Sequence, residues 1–102
     1  MSVFISRENF AKLGVTPTQT SKTLILAGTE YTVTIPAKTK RIIIGMQSGS
    51  NQFFYGWNTG EVLFPVPAGA FRDISDIHID ETTLYLRCDD ASGEVIIIEY
   101  WL

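Results

Sequence analysis

Sulfur, imidazole and charge are all scarce in this chain of 102 residues, which has one cysteine (Cys88), one histidine (His78) and only 19% charged side chains. A lone cysteine forms no internal disulfide, and with a single histidine it cannot build a thiolate zinc site. The expected domain is therefore held by its core alone, as in a protein folded in the reducing cytoplasm of its host cell. Basic residues are also few, 8 against 11 acidic, so the chain lacks the cationic excess that neutralises nucleic-acid phosphates. The longest apolar runs, Ile42 to Ile44 and Val95 to Ile98, fall far short of the roughly 20 residues of a membrane-spanning helix. Arg7, Glu8 and Lys12 interrupt the stretch that a signal peptide would keep apolar, and no secretion signal is expected. P-loop, dinucleotide, nucleophile-elbow and metalloprotease motifs are missing, and Gly45 to Gly49 has no phosphate-binding lysine.

What the chain does contain is threonine, β-branched aliphatics and aromatics, with turn-forming clusters about every eight to twelve residues. That spacing predicts an all-β fold, an antiparallel β-sandwich of jelly-roll or Greek-key type. Strands are expected at Thr23 to Ala27, Tyr31 to Ile35, Arg41 to Gln47, Phe53 to Asn58, Glu61 to Phe64, Asp76 to Ile79, Thr83 to Cys88 and Glu94 to Trp101. A short helical turn at Ser6 to Gly14 sits in an N-terminal arm, residues 1–20, ahead of a sandwich domain at 21–102. Two segments resemble each other: Ile35-Pro36-Ala37-Lys38 before one strand, and Val66-Pro67-Ala68-Gly69 before Phe71 to Ile74. In each, proline ends a ladder and fixes φ, which predicts two corners where the chain changes sheet.

Candidate chemistry is thin. Asp76, His78 and Asp80 alternate, so a strand would show all three on one face, where they could hold a metal or relay a proton. The same row is what a half-buried strand presents to water, and it is read that way. Asp89, Asp90, Ser92 and Glu94 lack the ordered spacing of a calcium loop and are read as a solvated hairpin tip. No catalytic residue, metal site or cofactor is assigned, and the chain is not expected to be an enzyme. Phe53, Tyr55 and Trp57 share one strand face and are read as core or subunit interface. The alternative is a carbohydrate- or receptor-binding module, with Tyr55 and Trp57 stacking on sugar rings. Tyr100 and Trp101 are expected to anchor the last strand, whose aliphatic run is apolar on both faces.

Charge is distributed unevenly. The first 51 residues carry six basic and two acidic side chains, and the remainder carry two basic and nine acidic. A domain with one basic and one acidic region can register against copies of itself, with Lys38, Lys40 and Arg41 near an acidic stretch drawn from Asp73 to Glu81 or Asp89 to Glu94. If strands from both halves share sheets, the charges instead mix.

The stretch from Tyr31 to Ile44, containing Thr-Ile-Pro-Ala-Lys-Thr-Lys-Arg, together with Thr83-Leu-Tyr-Leu-Arg and the ending Glu94-Val-Ile-Ile-Ile-Glu-Tyr-Trp, resembles small virion proteins of tailed bacteriophages. Those proteins end in a similar strand of aliphatics, Glu, aromatic and Trp; the glycine usual after Pro-Ala is Lys38 here. The resemblance implies a non-enzymatic structural protein of the virion, a capsid decoration or head accessory protein. Its partners would be itself, as a homo-oligomer, and a major capsid or other virion protein, with neither nucleic acid nor membrane bound.

Overall fold

In the computed structural model, residues 17–75 and 80–102 are described. They form eight strands: β1 (Thr18–Leu24), β2 (Tyr31–Ile35), β3 (Arg41–Met46), β4 (Phe53–Gly56), β5 (Phe64–Val66), β6 (Phe71–Ser75), β7 (Thr82–Arg87) and β8 (Glu94–Trp101). Two antiparallel sheets of four result, sheet I in the order β1-β8-β3-β6 and sheet II in the order β2-β7-β4-β5. The partnerships β1 with β8, β2 with β7, β3 with β6 and β4 with β5 are nested. This is one long hairpin rolled up, its outer pair made by the first and last strands. It is the connectivity of a jelly roll.

Period-two alternation sets what each sheet buries. Ile42 and Ile44 of β3 face inward with Ile96 and Ile98 of β8, and Phe53, Leu84 and Leu86 meet them from sheet II, all with no accessible surface. Each such aliphatic side chain contributes on the order of 1.5–3 kcal/mol on burial. Cys88 lies in the same core, its thiol directed at the Gln52 carbonyl (3.5 Å). The tilted Pro-Ala corners lead from β2 to β3 and from β5 to β6, and both cross from sheet II to sheet I as their sequence pattern predicts.

Three strands differ from the sequence reading by more than two residues at an end. β1 covers Thr18–Leu24, so it takes in residues assigned to the arm, while Ile25 and Leu26 lie in the following loop at 62% and 59% exposure. Its polar composition hid it. As an edge strand, exposed along nearly all its length, it has no need of an apolar face, and pairing with β8 rather than hydrophobic period defines it. β5 starts at Phe64 and contains Pro65, which an edge strand accommodates because the missing donor faces no neighbour. The strand after the second corner is Phe71–Ser75; the one read at 76–79, and the helical turn read at 6–14, lie outside the described residues.

The charge halves interleave. Sheet I alternates a strand of the first half with one of the second, and Arg41 of β3 pairs with Asp73 of β6.

Candidate functional site

The aromatic strip divides between core and surface. Phe53 is fully buried and Tyr55 is 9% exposed, while Trp57 packs half-buried against the same core. Tyr55 meets Trp57 edge-on at 6.3 Å between centroids and lies 5.3 Å from Phe64, which is 53% exposed at the edge of sheet II. Phe53 and Tyr55 are thus committed to the interior and do not form the open row on which a sugar could stack. Gly56 ends β4 because the chain doubles back over it: a Cβ there would lie 2.3 Å from the Glu61 carbonyl oxygen and 3.0 Å from Val62 Cα.

The two Pro-Ala corners share a backbone. At the second, the Ala70 N–H donates to the Pro67 carbonyl (3.0 Å) and Gly69 takes φ 77°. This is a turn whose third residue must be left-handed, the conformation glycine adopts without steric cost. At the first, Lys38 takes the same conformation, φ 68°, and is the one non-glycine residue with positive φ among those described. The buried Thr39 hydroxyl donates to the Pro36 carbonyl (2.7 Å), and the Lys40 N–H donates to the Trp101 carbonyl (2.8 Å). The corner is therefore fixed to the last strand. Lys38 and Lys40 flank Thr39 and are both exposed.

Arg41 turns the other way. Its guanidinium meets Asp73 through Nε (3.1 Å) and Nη2 (2.6 Å) and lies 4.9 Å from the Trp101 ring centroid. The Arg41 hydrogen bond holds the Asp73 carboxyl below the usual carboxylate range, helped by the Ser75 hydroxyl and opposed by partial burial. Register puts Trp101 opposite Arg41 on the outer side of sheet I, 3% exposed, and Tyr100 opposite Ile42 on the inner side, packed against the core. Glu99, also outward and only 4% exposed, accepts from the Gln19 amide (3.1 Å).

One surface was read only in part, as the second apolar face of the last strand. On the outer side of sheet I, Ile43 and Gly45 of β3, Ile97 of β8 and Phe71 of β6 line a groove of about 210 Å³ with Met46 and Glu99 at its margin. Phe71 is 67% exposed. The signal was present in the unbroken Ile42 to Ile44 and Val95 to Ile98 runs, whose alternate members must face away from the core once the strands are laid down.

The connections fall at two ends. At one end the β1–β2, β3–β4, β5–β6 and β7–β8 loops gather: Gly28 N–H donates to the Cys88 carbonyl (2.9 Å), Ala27 N–H to Ser92 Oγ (3.0 Å), and Ser48 Oγ and Asn51 Nδ2 to Glu94 (2.8 and 3.2 Å). The Glu30 carboxylate accepts from the Gly60 N–H and from Thr59 Oγ1. Asp89 pairs with Arg87 at 2.8 Å, and Asp90 is exposed. The β2–β3 corner is at the other end, near Glu81, because Ile35 pairs with Thr82. Asp76 and His78 lie outside the described residues and Asp80 is exposed. Among the described residues no three acidic, histidine or cysteine side chains converge as metal ligands, and no helix is long and apolar enough to cross a membrane.

Comparison with known proteins adds no identity. No family model, curated protein or solved structure matches this chain.

Proposed function

We propose that this chain is a structural, non-enzymatic protein of a bacteriophage particle, a capsid-associated decoration or head accessory protein that associates with copies of itself and with a major virion protein. The observation that carries the association is the outer side of sheet I. There the central strands β3 and β8 turn Ile43, Val95 and Ile97 outward, each half-buried, beside the exposed Phe71. A contiguous apolar surface on central strands is costly in water and is what a contact face offers a partner. The virion assignment rests on the sequence resemblance in the β2–β3 region and the final strand. The jelly roll supports it only as a compatible frame, since one fold hosts many functions. The deciding experiment is mass spectrometry of purified particles from the source lysate together with imaging of those particles. The chain is expected in many copies per particle, as symmetric density on the head; its absence from purified particles would refute the reading.

A further inference from the structure

We propose that copies of this chain associate head to tail, with the β2–β3 corner of one copy, Lys38 and Lys40, set against the Asp89–Asp90 tip of the next. This rests on the self-association proposed above and adds to the outer side of sheet I a second, charged contact between copies.

The first observation is Lys38 itself. The twin corner holds the same left-handed backbone with Gly69, so glycine would serve at Lys38 with less strain. A residue kept in a costly conformation points to a task for its side chain. The corner is also rigid, through Thr39 to Pro36 and Lys40 to Trp101, so two ammonium groups are presented at fixed positions. Neither is in an ion pair among the described residues, whereas Arg41, their neighbour, is engaged with Asp73 and Trp101.

The second observation is where acidic groups lie. Asp73 is engaged by Arg41, and Asp80 and Glu81 sit at the same end as the lysines, so a head-to-tail contact cannot use them. At the opposite end, Glu94 and Glu30 are turned to donors of their own chain. Glu61 and Glu99 accept from Asn58 and Gln19, which among the described residues leaves the β7–β8 tip, where Asp90 is exposed and Asp89, paired through one oxygen with Arg87, keeps 45% of its side chain accessible. The six residues of β7 separate this tip from the corner. At about 3.3 Å per residue that is roughly 20 Å, twice the distance over which salt screens exposed charges. The two groups cannot neutralise each other within one molecule, but a second copy brings them together. Such a contact joins different surfaces, so repeating it yields a ring if the rotation closes and a filament if it does not.

The test uses the full chain in sedimentation velocity at low and high salt. The wild type should associate more tightly at low salt than at high salt. K38E/K40E and D89K/D90K should each weaken association by about tenfold or more, and an equimolar mixture of the two should restore it, because each then meets its complement. Circular dichroism on each variant verifies the fold, and recovery in the mixture verifies it independently. The proposal is overturned if both variants associate as the wild type does, if the mixture of folded variants does not recover, or if the wild type stays monomeric at low salt. Failure in these arms with the chain still present on particles refutes the contact and spares the virion reading; a chain absent from particles that still shows the charge-swap pattern does the reverse.

Discussion

Replacing Lys38 with glycine should make the protein more stable. A left-handed backbone costs an L-residue about 1–2 kcal/mol, and Lys38 carries that cost at φ 68° where Gly69 does not at φ 77°. Glycine gives back part of the gain, because the unfolded chain becomes more flexible by about 0.4–1 kcal/mol. The lysine side chain makes no ion pair among the described residues, so little else is lost. The net expectation is a stabilisation of roughly 0.5–1 kcal/mol, which for a domain of this size raises the melting temperature by about 2–6 °C. Lys38→Ala removes the charge and keeps the backbone, so it should lie within about 0.5 kcal/mol of wild type. Gly69→Ala imposes the strain at the other corner and should cost about 1 kcal/mol. Urea denaturation with a constant slope, paired with calorimetry, separates the three variants. A Lys38→Gly variant no more stable than Lys38→Ala would show that the corner holds no strain, and the argument from Lys38 to a surface task would lose its first step. If the argument holds, Lys38→Gly will be more stable yet associate less tightly than wild type.

Other perturbations follow from the same geometry. Gly56→Ala drives a Cβ into the Glu61 carbonyl, 2.3 Å away, and because backbone must shift to receive it, the expected loss is about 2–3 kcal/mol by urea denaturation. Trp101→Ala deletes a side chain that is 3% exposed and lies against Arg41, which should cost about 3–5 kcal/mol by the same measure. The Asp73 carboxyl is held below its ordinary value by Arg41, so its contribution is complete above the unfolded-state value near 4 and declines as pH falls through the lower folded value. Asp73→Asn should cost about 1 kcal/mol at neutral pH and flatten the stability profile below about pH 4; a profile that stays parallel to wild type in that range would contradict the assignment.

How far the sequence foretold the structure depended on whether a residue's partners were near in kind or only in space. Alternation at Leu84 and Leu86 declared the inner face of β7, the unbroken Ile42 to Ile44 run left the inner face of β3 undeclared, and the two Pro-Ala phrases declared the crossings between sheets. β1 could not be read, because Thr18 to Thr23 carry no apolar period and become a strand only by lying along β8. The separation of basic and acidic halves dissolved for a related reason: nested pairing brings Arg41 beside Asp73, a neighbour that position in the chain does not suggest. Lys38 was visible as a departure from glycine, but its backbone conformation belongs to three dimensions. The outward aliphatics of β3 and β8 were visible as runs, yet Phe71 joined them only once β6 was placed at the edge of sheet I.

The rolled hairpin also governs when the chain can fold during its synthesis. β8 is made after the other seven described strands, lies between β1 and β3, and among the described residues is the one strand paired with β1. Until β8 leaves the ribosome, β1 has no partner among the described strands and one flank of β3 is bare. Sheet I therefore closes only after β8 has been made, in a step that joins the first and last of the described strands and is slow for that reason. In the interval the inner faces of β3 and β4 are open to other nascent chains, so synthesis of many copies at once exposes this chain to mispairing during that step.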